Sequence, residues 1–235
     1  MNTQWMVVFT SALLTITNHT LQRVPGGDNG SHSGGASPRL MCELDDNLDG
    51  GIANCDVFLD AGSGIGTSSA YFAHQYPNLR VVGIETAEDR IETAQQLFEI
   101  AGMSDRVEFV NGSFVNDIVW RDRVLRRGNE RVCVWLNAEN YDKVDGLLLA
   151  FEQLAESLMV RSGSLIISTK RLFMGRTRRI VKEGCPFSQR IITITLRKWD
   201  LSWKPAGEDL PIFVYKRKSD NEMGGRHNMV VAILM

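Results

Sequence analysis

Short apolar runs alternate with longer amphipathic segments from Asp56 onward. The short runs have the length of buried strands, and the segments between them carry apolar residues at helical spacing. Strands that alternate with helices predict right-handed crossovers and a parallel sheet. The predicted strands are 57–62, 80–86, 106–112, 131–137 and 163–170, and the predicted helices are 68–76, 88–102, 115–127 and 143–159.

The pattern changes after residue 185. Residues 190–203 and 211–218 are two β-rich runs with no helical segment between them, which predicts an antiparallel hairpin. The last apolar run, 229–235, fits either an extra strand or a tail covered by a partner.

The N-terminal part has a different composition. Residues 24–37 contain mostly Gly, Ser, Asn and Asp, so they predict a flexible linker. Residues 6–16 are apolar but too short to span a bilayer, and the first cation, Arg23, follows them, unlike the basic start of a secretory signal. We therefore predict a flexible leader and linker over 1–37 and one folded domain over 38–235. A targeting role for the leader is the alternative.

The composition is that of an ordinary globular protein, with 43% hydrophobic and 23% charged residues among 235. It excludes collagen-like, coiled-coil and wholly disordered chains. The four cysteines, Cys42, Cys55, Cys133 and Cys185, do not share a metal-ligand spacing. We therefore predict reduced thiols, mostly buried, and no metal site.

Charge is distributed unevenly along the chain. Residues 1–120 have a net charge of -10, whereas residues 121–235 have a net charge of +8. The basic clusters are 121–127, 170–179 and 216–218. They fit solvated surfaces or contacts with a polyanionic partner.

Candidate ligand-binding residues follow three successive predicted strands. The first strand leads into Asp60 and a turn with Gly62, Gly64 and Gly66, before a helix. The second ends at Glu85, where a carboxylate can accept hydrogen bonds from ribose hydroxyls. The third runs into Asn111-Gly112-Ser113-Phe114, which would bring an aromatic ring beside an adenine. A tight turn, a solvated cap and a core side chain are the alternatives for these features taken singly.

This order of features is that of class I S-adenosylmethionine methyltransferases. An NAD-binding sheet would continue in parallel, so the terminal hairpin also favours a methyltransferase. The predicted fold is α/β, a Rossmann-like seven-stranded sheet that is mostly parallel with an antiparallel C-terminal hairpin. S-adenosylmethionine is the predicted cofactor.

Residues 56–218 further resemble the disruptor-of-telomeric-silencing family, the non-SET histone-lysine methyltransferases of the nucleosome core. The similarity is carried by FLDAGSGIG (58–66), VVGIE (81–85), NGSF (111–114), VWLNAENY (134–141), GSLIISTKRLF (163–173) and LSW with LPIFVYKRK (201–218). The family's loop before the first strand has no match in 38–55.

The resemblance implies roles for individual residues. Asp60, Gly62, Gly64, Gly66 and Thr67 would line the methionine and ribose side of the cofactor, and Glu85 would bind the ribose. Ser113 stands where the family has an acid beside the adenine, and Phe114 would contact the ring. Asn137, Tyr141 and Tyr215 are the predicted catalytic residues, with Trp203 near the end of the hairpin. The two tyrosines would form an apolar channel that lowers the pKa of a target lysine.

The function implied by the resemblance is methyl transfer to a histone lysine in the nucleus. A nucleosome would be the partner, with DNA phosphate contacts through the basic C-terminal half and no membrane. Two alternatives remain open. One is a methyltransferase for another protein, RNA or a small molecule, and the other is a non-catalytic module of the same fold that binds a polyanion.

Overall fold

The computed structural model describes residues 36–114, 130–137, 162–170, 187–196 and 206–219. Its strands form one seven-stranded sheet in the order β3-β2-β1-β4-β5-β7-β6. The first five strands pair in parallel, and β7 pairs antiparallel with both β5 and β6. The predicted fold, a mostly parallel Rossmann-like sheet with an antiparallel C-terminal hairpin, is confirmed.

The elements follow the predicted alternation. In chain order they are α1 (Pro38–Asn47), β1 (Val57–Ala61), α2 (Thr67–Gln75), β2 (Arg80–Glu85), α3 (Glu88–Ile100), β3 (Val107–Asn111), β4 (Val132–Leu136), β5 (Leu165–Ser168), β6 (Phe187–Thr195) and β7 (Asp209–Arg217). The helices predicted at 115–127 and 143–159 and the apolar run 229–235 lie outside the described residues. Within the described ranges, no helix has the length and apolarity needed to cross a bilayer.

Helix α1 is an element that the sequence analysis did not predict. It begins where the Ser37 hydroxyl accepts a hydrogen bond from the backbone N–H of Leu40 at 3.1 Å, with Pro38 in the first turn. Leu40, Met41 and Leu44 are fully buried, so this helix is an integral part of the core.

The predicted domain boundary falls beside this helix. Ala36 is already buried, and Ser37 caps α1, so the last two residues of the predicted linker are ordered parts of the domain. Residues 1–35 lie outside the described residues, and the division at residue 37 stays a prediction.

A cluster of buried residues lies between one face of the sheet and helices α1, α2 and α3. Phe58 of β1 packs against Phe72 of α2 with a ring-centroid distance of 4.2 Å, and Trp135 of β4 is nearly completely buried in the same cluster. Cys55 and Cys133 are buried free thiols, as predicted. This packing fixes α2 and α3 against β1 and β2, which in turn positions the turns between them.

The hairpin starts earlier and ends earlier than predicted. Strand β6 covers 187–195 rather than 190–203. Just past its end, Leu196 still donates to the Glu208 carbonyl and accepts from Gly207 N, both at 2.8 Å. Gly207 adopts a φ of 88°, a left-handed conformation that glycine adopts without steric strain. Trp203 lies outside the described residues.

Candidate cofactor site at the carboxyl edge of the sheet

The glycine-rich turn joins the end of β1 to the start of α2 and is tied to β2. The backbone N–H groups of Gly62 and Ser63 both donate to the carbonyl of Ile84, at 2.8 and 2.9 Å. Gly62, Gly64 and Gly66 all adopt positive φ angles, 75°, 56° and 82°. The sequence therefore needs glycine at these three positions because side chains rarely tolerate this backbone.

The second and third glycines meet different surroundings. A Cβ on Gly66 would stand 2.8 Å from Phe109 Cζ and 2.9 Å from Phe98 Cε2, so Gly66 is enclosed by the core. A Cβ on Gly64 would meet no atom of the described residues within 4 Å. The turn therefore presents open backbone at Gly64, next to the N-terminus of α2, which begins at Thr67. Such an end attracts negative charge.

The buried side chain of Glu85 connects the glycine-rich turn to the end of β2 through hydrogen bonds. One carboxylate oxygen, Oε2, accepts a hydrogen bond from Gly64 N at 2.9 Å, while Oε1 accepts from Thr86 N and Ala87 N at 2.9 and 3.1 Å. Arg90 Nη1 lies 3.9 Å from Oε2. The carboxylate is thus held in one orientation by backbone groups on both of its sides.

The end of β3 lies directly beside Glu85. Glu85 and Asn111 are register partners, and Gly112 N donates to the Glu85 carbonyl at 3.0 Å. Phe114 is 3% exposed, whereas Ser113 is exposed. The structure therefore brings the glycine turn, Glu85 and residues 111–114 together at one edge, as the spacing of the sequence suggested.

Asp60 faces the protein interior. It is 2% exposed, and its Oδ2 accepts hydrogen bonds from Ser69 N at 3.1 Å and Ser69 Oγ at 2.8 Å. Burial raises the pKa of Asp60 from 3.8 to about 7, and the nearby Glu85 carboxylate adds to the rise. Asp60 therefore fastens β1 to the first turn of α2, and its predicted contact with a cofactor stays a prediction.

Two of the predicted catalytic residues, Asn137 and Tyr215, are described, and they lie apart in the sheet. Asn137 follows β4 at the carboxyl edge, where its Oδ1 accepts from Thr169 Oγ1 at 3.4 Å. Tyr215 is fully buried and pairs with Ile166, two residues before Ser168 ends β5. Tyr215 is therefore set back from the edge that holds Asn137, and Tyr141 lies outside the described residues. The catalytic roles of all three stay predictions.

Sequence reasoning missed the partners of these residues. Ser69 binds Asp60, Arg90 lies beside Glu85, and Thr169 binds Asn137. Ser69 and Arg90 are each the third residue of the helix that follows the strand of their partner. This position near the strand end could have predicted both contacts. No comparable signal joins Thr169 to Asn137, because they belong to different strands.

Comparisons with known proteins agree with this geometry. A family model described as a methyltransferase domain matches residues 58–124, the segment that carries the glycine turn, Glu85 and Phe114. The fold is that of class I methyltransferases. Nothing in the comparisons points to the disruptor-of-telomeric-silencing family specifically.

Three solved structures illustrate the likeness of fold. An O-methyltransferase from Bacillus cereus in complex with SAH has a TM-score of 0.60 and 16% identity, covering 90% of this chain and 91% of that one. The O-methyltransferase TomG from Streptomyces achromogenes, in complex with SAM, has a TM-score of 0.58 and 14% identity over 90% of each chain. Cofactor-bound Rv0187 from MTB has a TM-score of 0.57 and 18% identity over 90% of each chain.

Proposed function

We propose that this protein is an S-adenosylmethionine-dependent methyltransferase that uses the carboxyl edge of its sheet. The observation that carries the proposal is the hydrogen bond between the buried Glu85 carboxylate and the Gly64 backbone at 2.9 Å. This bond joins an acidic strand end to a glycine turn with open space, in the arrangement that adenosine-containing cofactors use. The methyltransferase-domain match over the same residues and the SAM- and SAH-bound neighbours support the same cofactor.

The residues present fit this cofactor. Among the described residues, Glu85 Oε2 accepts one hydrogen bond, from Gly64, so a second lone pair can accept from a ribose hydroxyl. Gly64 lets the ligand approach the backbone, and Phe114 would provide an apolar surface for the adenine ring. Bound there, S-adenosylmethionine supplies a methyl group attached to a positively charged sulfur.

Methyl transfer from a sulfonium requires little acid-base catalysis by the protein. The chain's own residues must hold donor and acceptor in line and exclude water from the reacting atoms. Asn137 and Thr169 stand at the same edge as the glycine turn, since Leu136, Ala61 and Ser168 are neighbours in register. This pair is our candidate for orienting the methyl acceptor.

A hydroxyl-bearing small molecule is the acceptor class that we favour. Two of the three structural neighbours described above are named O-methyltransferases, which favours an acceptor other than histone lysine. The nucleosome, its DNA contacts and nuclear localisation remain a hypothesis drawn from the resemblance. Of the residues that motivated it, Tyr141 and the arginines of 176–179 lie outside the described residues.

The cofactor assignment is tested by the Glu85→Ala variant. Loss of the acceptor should weaken S-adenosylmethionine binding by about 1.5–3 kcal/mol, the range for hydrogen bonds to a charged group, measured by titration calorimetry. Glu85→Gln keeps one carbonyl acceptor and should retain part of the affinity. Glu88→Ala removes an exposed acid from the first turn of α3 and serves as the matched control. An unchanged dissociation constant for folded Glu85→Ala would refute the assignment.

The acceptor class is tested with a radiolabelled methyl donor. We expect transfer to a panel of hydroxylated aromatic compounds above the transfer to nucleosomes, free histones and RNA. Label found mainly in nucleosomes would instead support the histone hypothesis. Cofactor binding without transfer to any acceptor would favour a binding module.

A further inference from the structure

A cavity lies at the opposite edge of the sheet, where the parallel strands begin. It has a volume of about 680 Å³. Residues from the turn after α1, the starts of β4 and β5, and the hairpin β6–β7 surround it. The lining residues are Leu48, Asp49, Gly51, Asn54, Arg131, Ser162, Gly163, Leu165, Ser188, Gln189, Arg190, Val214, Lys216, Arg217 and Ser219. A five-residue strand is about 16 Å long, so this cavity is separate from the carboxyl edge.

The walls of this amino-edge cavity are held in place by close packing. Gly51 approaches Leu165 so closely that a Cβ on Gly51 would stand 2.9 Å from Leu165 Cδ1. On the other side, the Arg131 guanidinium lies against Gly163, where a Cβ would be 3.2 Å from Nε. The turn after α1 and the segment before β5 are therefore both fastened around the opening.

The lining carries a marked excess of positive charge. Among the described residues, the lining includes four cations, Arg131, Arg190, Lys216 and Arg217, and one carboxylate, Asp49, which gives these residues a formal net charge of +3. A concave surface lined by one sign of charge concentrates ions of the opposite sign.

Arg131 is positioned by carbonyl oxygens. Its Nη1 donates to Asn54 O at 2.8 Å and its Nε to Ser162 O at 3.4 Å. The Asp56 carboxylate accepts from the Arg131 backbone N at 2.8 Å. Carbonyl partners orient a guanidinium without cancelling its charge, so Arg131 remains able to attract an anion.

Arg190 and Lys216 present two further cations from neighbouring strands. Lys216 pairs with Ser188, two residues from Arg190, so both side chains point to the same face of the hairpin. Arg190 contacts Asp49 at 3.2 Å, but that carboxylate is 83% exposed and the pair is open to solvent. Exposed pairs of this kind contribute little, so a multivalent anion can compete with Asp49 for Arg190.

We propose that the amino-edge cavity binds a phosphorylated small molecule of nucleotide size. Its volume lies within the range of small-ligand sites, about 300–1,000 Å³. Guanidinium and ammonium groups on several sides suit the oxygens of a di- or triphosphate through charge-assisted hydrogen bonds. A methyl acceptor must reach the carboxyl edge, so this ligand would be an additional one.

The concave shape favours a small molecule over a nucleic acid strand. Strand binding uses an extended basic groove with aromatic side chains on which bases stack. Within the part of the chain that the structure describes, the lining contains no aromatic residue. A long polyanion would contact the rim and gain little from the interior.

The test is a calorimetric titration with inorganic tripolyphosphate and with ATP. The protein is first saturated with S-adenosylhomocysteine, so that ATP cannot bind through its adenine at the carboxyl edge. We expect one saturable site for tripolyphosphate. The double variant Arg190→Gln with Lys216→Gln should weaken it roughly tenfold or more. Lys216→Gln alone, which changes an exposed side chain, should weaken it less. Lys218→Gln removes the same charge from a residue outside the lining and is the matched control.

Each result distinguishes the alternatives. Equal weakening by Lys218→Gln and Lys216→Gln would show unspecific attraction and overturn the proposal. Binding of single-stranded RNA without saturable binding of tripolyphosphate or ATP would replace the cavity with a nucleic acid surface. Failure of the methyltransferase proposal would appear in the Glu85 variants and would leave this binding result standing.

Discussion

Gly66 and Gly64 stand two residues apart and differ in what surrounds them. Gly66→Ala would place a Cβ within 2.9 Å of two phenylalanine rings at a φ of 82°, and we expect it to destabilise the fold by about 2–4 kcal/mol. The Cβ of Gly64→Ala would clash with no described atom, so only the left-handed backbone conformation of alanine should lower the free energy of unfolding, by about 1 kcal/mol. Chemical denaturation of the two variants checks the difference. Equal losses would contradict the packing assigned to Gly66.

Asp60 should make stability depend on pH near neutrality. Because burial raises its pKa to about 7, the folded state holds a proton that the unfolded state has already released above the ordinary pKa of 3.8. Stability is therefore greatest below that ordinary value and falls as pH rises through about 7, where Asp60 ionises in the folded state.

The variant Asp60→Asn removes this titration. Denaturation midpoints measured at about pH 5 and pH 8 should fall with pH in the native protein and fall less in Asp60→Asn. Glu88→Gln, which changes an exposed acid, should follow the native curve. Parallel curves for all three proteins would mean that Asp60 titrates near its ordinary value.

Single residues were predictable where chain spacing alone fixed them. Glu85 ends β2 and Phe114 follows the end of β3, and parallel strands place their carboxyl ends side by side. The inward direction of Asp60 was not predictable. Its carboxylate turns to Ser69 because that residue offers both a backbone and a hydroxyl donor in the first turn of α2.

Helix α1 depends on its first turn. Replacing the capping hydroxyl in Ser37→Ala should lower the free energy of unfolding by about 1 kcal/mol, because the N–H of Leu40 loses its acceptor. Ser37→Gly should lower the free energy of unfolding by only about a few tenths of a kcal/mol, since glycine is tolerated at a helix cap. Urea denaturation measures both. A loss for Ser37→Gly as large as for Ser37→Ala would argue against the capping role.

Elements were predicted well where apolar runs were long and badly where polar residues interrupt them. Strand β6 begins at Phe187, and the polar residues Ser188 and Gln189 follow in this edge strand, so the predicted strand began only at Arg190. Helix α1 was missed although Ser37 and Pro38 are start signals and Leu40, Met41 and Leu44 have helical spacing. It is only ten residues long, and the predicted linker, 24–37, includes the residue that caps it, Ser37.

The whole molecule has two candidate sites at opposite edges of one sheet. A ligand that binds only the folded state stabilises it by about 2.7 kcal/mol at a concentration one hundred times its dissociation constant. We expect S-adenosylhomocysteine and tripolyphosphate to raise the free energy of unfolding independently, so that their effects add. Denaturation with each ligand and with both checks this. Effects that fail to add would indicate coupling or a shared site.

The topology followed from the alternation of strands and helices, whereas the amino-edge cavity did not. The sheet order depends on crossovers that chain order already restricts. The cavity combines Asn54, Arg131, Gly163 and Lys216, which come from four separate segments with no common pattern in the chain. Only their packing brings them to one opening.

The hydrogen bond from Gly64 to Glu85 has a consequence for the energetics of ligand capture. The turn is fastened to β2 by the protein's own backbone and side-chain bonds, so its shape is fixed when the chain folds. The turn therefore loses its conformational freedom when the chain folds. When a ligand binds, the turn is already ordered, so binding costs little further conformational entropy of the protein.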